Sequence, residues 1–376
     1  MNSFSHAFCW KEVRDRWQYG IIKSMSQKKI RVNMLSSSEK VAGQGVSGAY
    51  RELMRLLERD AQDYLEVTEN QSIQADVTHY HTIDPAYYLT TFRPKKVGRR
   101  VGYVHFLPET LQGSLKLPGL IGWIVGRYVL SFYNRMDQLV VVNPSFIDDL
   151  VQAGIAADKV RYIPNFVNKE KWYPLPVEDG QALRREMGIA EDAFVVLGAG
   201  QVQRRKGVDD FIALAESMPQ VTFVWAGGFS FGGMTDGYER YKKIMKHPPK
   251  NVYFPGIVSP EEMRRLYAAA DLFFLPSYNE LFPMTILEAA SCGAPIMLRD
   301  LDLYKVILDG KYAAARDFNH MKVVLTELVA HPEQLEALKE KSQQISIEYS
   351  EEELLKIWLD FYRLQADLGP SGKEKK

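Results

Sequence analysis

The segment from Glu280 to Glu288 reads Glu-Leu-Phe-Pro-Met-Thr-Ile-Leu-Glu, two acids with seven residues between them, and it follows an apolar run, Asp271 to Ser277. A carboxylate accepts two hydrogen bonds well, so each acid could hold a diol. Pro283 suits the first turn of a helix running on through Ala289 and Ala290. The amides of Met284, Thr285 and Ile286 are then near-free donors at a helix N-terminus, aimed at an anion such as a diphosphate. Glu288 could accept from a ribose diol, while Glu280, in the loop with Leu281 and Phe282, could reach a sugar hydroxyl. Taken alone, the two glutamates would more readily be a surface acid and a helix-dipole acid with no ligand.

A second segment has complementary chemistry. Residues 198–207 read Gly-Ala-Gly-Gln-Val-Gln-Arg-Arg-Lys-Gly, in which small residues let backbone approach a phosphate and Arg204, Arg205 and Lys206 can neutralise a leaving diphosphate. The bland alternative is an exposed cationic loop. Gly43, Gly45 and Gly48 spell a dinucleotide fingerprint, but seven residues, Ser36 to Ala42, separate it from the first strand. In a dinucleotide fold the turn follows the strand at once, so hydride transfer is disfavoured and the glycines read as a flap over a cleft. Histidines gather at expected strand ends: His79 reads as structural, His81 and Asp84 as acceptor-side candidates, and Glu109 as an acid able to touch an acceptor hydroxyl.

Elements must position these groups. At 376 residues the chain suits two domains, and short β-rich runs alternate with helix-patterned segments, the sign of βαβ units and parallel sheets. Strands are expected at 30–35, 77–80, 100–105, 138–142 and 160–163, then at 194–197, 222–226, 252–255, 272–275 and 295–298. The fold class is therefore α/β, two Rossmann-like doubly wound domains facing across a cleft. The expected division is an extension at 1–29, a first domain at 30–165, a linker at 166–177 and a second domain at 178–351. A final helix at 352–368 carries Leu355, Trp358, Leu359, Tyr362 and Leu364 mostly on one face.

Cys9 and Cys292 lack metal-ligand spacing, so neither a disulfide framework nor a zinc site is suggested, and a reducing compartment fits best. Lys and Arg balance Asp and Glu, 47 each, which argues against a nucleic-acid binder. The balance is uneven along the chain: cations lead 21 to 16 in residues 1–165 and trail 26 to 31 in 166–376. Arg93, Lys95, Lys96, Arg99 and Arg100 fall in one run, either a solvated loop or a patch for an anionic membrane surface. The apolar stretch 115–132, with Trp123 and with Lys116 and Arg127 interrupting it, is too broken to span a bilayer. It reads as a core helix or as one lying among headgroups.

The Glu280 to Glu288 segment resembles the signature of retaining glycosyltransferases of the GT-B fold, the group 1 family with two glutamates separated by seven residues. The likeness extends upstream through residues 251–271, downstream through 289–295, and over nearly the whole chain after residue 30. It implies a nucleotide-sugar site in the second domain, with the nucleobase at Ile257 and Val258, Lys206 as the family's lysine, and His105 against the donor sugar. It also implies that the glycine loop with Gly43 and Gly45 approaches the donor diphosphate and that the last helix crosses back onto the first domain. Where relatives commonly have Gly-Arg this chain has Gly200-Gln201, leaving Arg204 or Arg205 to replace the missing arginine. Retention implies front-face attack, the departing phosphate oxygen taking the acceptor's proton while Lys206 and the helix amides stabilise the leaving charge, with His105, Lys206 and Glu280 as the catalytic set. Neither a protein base, a metal nor another cofactor is required.

Residues 31–46, 77–84 and 102–110 resemble the glycolipid galactosyltransferases of Gram-positive cocci and lactobacilli. That resemblance implies transfer of galactose from UDP-galactose to glucosyl-diacylglycerol, building the anchor glycolipid of lipoteichoic acid, by a protein peripheral on the cytoplasmic face of the membrane. The rivals are a UDP-glucose-dependent transferase, another lipid or polysaccharide acceptor, and a catalytically silent partner subunit.

Overall fold

Strands such as Leu272–Leu275 and Ile296–Arg299 are buried at every position, so the sheet that holds them has to be covered on both faces, the condition of a parallel α/β sheet. The computed structural model of the chain describes residues 28–37, 45–104, 119–229, 232, 235, 237–280, 282 and 284–370. Within these are twelve strands in two six-stranded sheets. The first contains β1 (Ile30–Leu35), β2 (Leu65–Glu69), β3 (Val77–Tyr80), β4 (Arg99–Val104), β5 (Gln138–Val141) and β6 (Val160–Tyr162). Its spatial order is β2-β1-β3-β4-β5-β6. The second contains β7 (Phe194–Ala199), β8 (Val221–Ala226), β9 (Val252–Gly256), β10 (Leu272–Leu275), β11 (Ile296–Arg299) and β12 (Ala313–Ala315). Its order is β12-β11-β10-β7-β8-β9. All the pairings are parallel.

The fold class is the expected one. Each sheet reverses its winding once, between β1 and β3 and between β7 and β10, and such switch points open a crevice at the carboxyl ends of the strands. Two strands escape the sequence reading. β2 is an edge strand, Leu-Glu-Val-Thr-Glu, with only Leu65 buried, and its charges hide the pattern. β12 is three alanines, a composition that favours helix.

The stretch after β6 shows neither period because it is packed irregularly. Phe166, Val167 and Trp172 are all buried, and the Trp172 ring meets Tyr267 edge-on at 6.1 Å. The last helix, Glu351–Leu368, lies on the first sheet, against β1, β3, β4 and the helix Gly45–Asp60. Its buried face runs through Leu354, Trp358, Phe361, Tyr362 and Gln365, whereas Leu364, expected on that face, is exposed. Tyr362 meets His79 Nδ1 at 2.9 Å and Gln365 accepts from Arg99 Nε at 2.8 Å.

Candidate active site

Three connections converge at the switch point of the second sheet. Lys206 lies in a single helical turn, Arg204–Lys206, after β7, and Gly207 ends that turn at φ 71° with its Cα so close to Pro276 that a Cβ would lie 2.2 Å from the Pro276 carbonyl oxygen. Only glycine fits there. Gly227, after β8, is pressed in the same way onto Gly200, where a Cβ would sit 1.8 Å from the carbonyl oxygen. These contacts draw the loops after β7, β8 and β10 into one cradle.

Glu280 is buried in that cradle, and its Oε1 is held by an ion pair to Lys206 Nζ and by the Ser277 hydroxyl at 2.7 Å. Oε2 faces Arg205 NH1 at 3.5 Å, and the same guanidinium donates to the Asn279 carbonyl at 2.7 Å. Burial pushes the Glu280 carboxyl up, but Lys206 and Arg205 outweigh it and hold the group below the ordinary carboxylate range. Burial also pulls Lys206 below its ordinary value, Glu280 pulling it back and Arg205 adding to the fall. Arg204, by contrast, is exposed, so of the two arginines Arg205 is the one turned inward. Gln201, where an arginine was expected, accepts from Gln203 Nε2 at 3.0 Å.

The loop that carries Glu280 is braced from outside. Tyr278 N donates to the Arg205 carbonyl at 2.8 Å, and its hydroxyl donates to Asp210 Oδ2 at 2.7 Å. Arg299, at the end of β11, donates to the Pro276 carbonyl at 2.9 Å, pairs with Asp210 and lies 4.0 Å over the Tyr278 ring.

The helix expected at the anion position is Met284–Ser291. Met284, Thr285 and Glu288 stay partly exposed, while Ile286 is fully buried. Burial pushes Glu288 up to about 7, with Lys171 pulling it back, Glu52 adding to the rise and a hydrogen bond from Tyr267 relieving it. Lys171 also donates to Glu52 at 3.4 Å, which brings the helix Gly45–Asp60 of the first half close to Glu288. The Phe282 ring is buried against Tyr349 at 5.4 Å and belongs to the core, so only the backbone of this donor-side candidate is left to face a ligand. Its carbonyl accepts from Asn165 Nδ2 at 3.2 Å. Ile257 is exposed at the carboxyl end of β9 with Val258 half-buried beside it, and Gly228 leaves room for Ile257.

At the first switch point the chemistry is aromatic. His81 follows β3 and is buried, stacked on Tyr103 at 5.0 Å and edge-on to Tyr50 at 4.8 Å. His79 is fully buried beneath it and packs on Trp358 at 5.5 Å, the structural place expected. Asp84 accepts from Ser37 Oγ at 2.7 Å and from Thr82 Oγ1 at 2.5 Å. Gly45 opens the helix Gly45–Asp60. Gly43, His105, Glu109 and Leu281 lie outside the described residues.

The basic run divides. Arg93 and Lys95 are exposed, and Lys96 donates to Ser72 at 2.9 Å. Arg99 and Arg100 are not surface cations, contrary to expectation. Arg100 forms a two-pronged pair with Asp137, 2.6 and 2.9 Å, and Arg99 donates to Gln365 and to the Gly369 carbonyl, because β4 needs partners for its first side chains at the sheet end. Trp123, on the helix Gly119–Asn134, is 61% exposed beside exposed Ile121 and Ile124, with Arg127 5.6 Å over its ring. Leu89 and Phe92 are exposed as well, and Arg135 lies 3.5 Å over Phe92.

Sequence reasoning missed Ser277, Tyr267, Lys171, Asn165 and Arg135. Ser277 had a local signal, a hydroxyl three residues before Glu280; the others reach their places through tertiary contacts. Among the described residues no helix is long and apolar enough to cross a membrane, and no cluster of three or more His, Cys, Asp or Glu could hold a metal.

Two family models match this chain: Glycosyl transferases group 1 over residues 179–352 and Glycosyltransferase Family 4 over residues 39–171. The alpha-galactosylglucosyldiacylglycerol synthase of Streptococcus pneumoniae strain R6 is 69% identical over 349 residues, 93% of either chain. The processive diacylglycerol alpha-glucosyltransferase of Acholeplasma laidlawii is 33% identical over 168 residues, 44% of this chain and 50% of that one. Among solved structures, Anabaena HepE in complex with UDP and glucose superposes with a TM-score of 0.70 at 17% identity, covering 88% of this chain and 99% of that one. Sucrose-phosphate synthase from Thermosynechococcus elongatus superposes at 0.73 and 15%, covering 89% and 99%.

Proposed function

Because this chain belongs to the group 1 glycosyltransferases and has their GT-B fold, we propose that it moves galactose from UDP-galactose to glucosyl-diacylglycerol with retention of configuration. The product is a diglycosyl-diacylglycerol of the kind that anchors lipoteichoic acid. The observation that carries this reading is the likeness to the pneumococcal synthase along almost the whole of both chains, the acceptor half included.

The geometry supports a division of labour. Exposed Ile257 and half-buried Val258 take the uracil face, and Glu288 takes the ribose diol. The first turn of Met284–Ser291 and the Lys206 and Arg205 cations take the diphosphate. Before the donor arrives, Lys206 and Arg205 neutralise Glu280. As the diphosphate enters, the cations turn part of their charge to it, and Glu280 gains sugar hydroxyls as donors in exchange. Buried ions keep partners throughout, which avoids the cost of an unpaired charge. The departing phosphate oxygen accepts the proton of the attacking hydroxyl, so no protein base and no metal is assigned a step.

A lipid acceptor has to be met at a membrane. Trp123, Ile124, Leu89 and Phe92 are exposed apolar groups, and Arg127, Arg135, Arg93 and Lys95 lie with them, the combination that settles among anionic headgroups. This supports a peripheral place on the cytoplasmic leaflet.

The test offers purified protein UDP-galactose or UDP-glucose with glucosyl-diacylglycerol in mixed micelles. Diglycosyl product with UDP-galactose alone is expected. Release of UDP without glycolipid product would overturn the acceptor, and product from UDP-glucose would overturn the donor. Flotation with liposomes tests the membrane face; no binding to anionic vesicles at low salt would remove it.

A further inference from the structure

β4 and the loop after β10 belong to opposite halves of the molecule, and one side chain joins them. Asn165, just beyond β6, accepts a hydrogen bond through Oδ1 from the Tyr103 hydroxyl at 3.3 Å and donates through Nδ2 to the Phe282 carbonyl at 3.2 Å. Asn165, Tyr103 and Phe282 are 7%, 6% and 4% exposed. A primary amide is suited to this place because it accepts at one end and donates at the other. A carboxylate would set a charged oxygen against the Phe282 carbonyl, and an alkyl group would strand both partners away from water.

Both ends of the bridge are fixed by packing. The Tyr103 ring stacks on His81 at 5.0 Å and on Trp358 at 6.1 Å, so it is part of the aromatic wall of the first switch point. The Phe282 ring is set against Tyr349. The Phe282 carbonyl stands two residues after Glu280 and two before Met284, where the phosphate-facing helix begins. Movement of this carbonyl carries the sugar contact and the phosphate contact together.

We propose that Asn165 is a positioning residue for transfer. It ties the wall on the acceptor side to the donor loop, fixing the spacing between the sugar at Glu280 and the incoming hydroxyl without touching either. This rests on the transferase reading above. Loss of the bridge should spoil alignment more than donor binding, and a loosened cleft should admit water to the donor.

The experiment compares full-length Asn165→Ala, Asn165→Asp and Tyr103→Phe with the wild type. It reads glycolipid formation, UDP-galactose hydrolysis, UDP affinity by calorimetry, and amide hydrogen exchange over residues 284–288 in the UDP complex. Asn165→Ala should lose at least about tenfold in kcat, because small misplacements are costly in an aligned reaction. Its UDP affinity should stay within about twofold, hydrolysis per transfer should rise, and exchange over 284–288 should quicken. Asn165→Asp should be worse than Asn165→Ala, and Tyr103→Phe should move the same way by less. The proposal is overturned if Asn165→Ala keeps wild-type turnover and partition, if UDP binding weakens as much as kcat falls, or if only thermal stability drops. A wild type that makes no glycolipid defeats the reading of the substrates instead. The bridge then stands or falls on the exchange over 284–288, which must quicken in Asn165→Ala.

Discussion

The two switch points occupy the same place in two sheets of similar topology, yet they are furnished differently. In the second half, Glu280, Lys206 and Arg205 form a charged cluster, with the Ser277 hydroxyl donating to Glu280 and the Asn279 carbonyl accepting from Arg205. In the first half, His79, His81, Tyr50, Tyr103 and Trp358 form an aromatic cluster. A diphosphate demands fixed cations and oriented dipoles, which are held best in a cradle of low polarity where each ion already has a partner. On the proposed reading, a neutral sugar hydroxyl on a lipid asks for shape rather than charge, and rings buried against one another stiffen the wall behind that place without charging it. The fold gives a crevice twice, and side chains decide what enters each.

The sharpest way to break this contrast is to remove one charge from the cluster. Lys206→Ala should reduce turnover by about 10²–10³-fold, the cost of losing one preorganised charge at a leaving group, measured as kcat with saturating donor. The same change strands the Glu280 carboxylate and should cost about 3–5 kcal/mol of stability in denaturant unfolding. Lys206→Ala with Glu280→Ala should then be less destabilised than the two changes summed. Additive losses would show the ions to be independent.

Next in size is the choice between neighbours. Arg205→Ala should slow transfer by on the order of tenfold or more, while Arg204→Ala stays within about twofold, since only Arg205 faces the carboxylate. Equal effects would mean that the donor draws Arg204 inward.

Glu288 gives a smaller, pH-dependent effect. With its carboxyl pushed up to about 7, the donor KM should fall several-fold as pH rises through that value, and Glu288→Gln should flatten the profile. The sign for stability is opposite. The folded state holds this proton to higher pH than the unfolded chain, whose carboxyl titrates near 4.5, so the group's contribution is full below 4.5 and declines as pH climbs to about 7. Denaturant midpoints of wild type and Glu288→Gln across pH 4.5 to 7.5 check this; a constant difference between them would refute it.

The smallest effect lies at the surface of the first half. Arg93→Glu should weaken binding to anionic vesicles about fivefold or more, at about 1 kcal/mol for each charge near the surface, and the loss should vanish at high salt. Arg100→Ala should leave vesicle binding unchanged, because that guanidinium is spent on Asp137. Flotation separates the two.

The alternation of apolar runs and helix patterns made both sheets legible, apart from β2 with its charges and β12 with its alanines, where edge position relaxes the demand for apolar residues. Glu280, Lys206 and the helix after Pro283 were legible because phosphate chemistry restricts residue type and spacing. Their mutual pairing was not, since Lys206 and Glu280 are 74 residues apart and only the folded cradle brings them together. Arg99 and Arg100 show the converse. A run of cations looks like a surface patch until Asp137 and Gln365 arrive from distant segments. Asn165 had no signal of its own, because a hydrogen bond to a carbonyl leaves no mark on the partner's side chain.

The helix Glu351–Leu368 closes the first sheet although it is synthesised after every strand of the second. The Tyr362 hydroxyl reaches His79 across 283 residues of chain. On the ribosome, the half made first therefore waits unfinished, with the ring faces of His79 and Tyr103 uncovered, while the half made second can complete its own sheet. Such long-range closure is slow. The aromatic wall is complete only once this helix has left the exit tunnel, so a nascent chain can assemble the Glu280–Lys206 cradle before it assembles the wall.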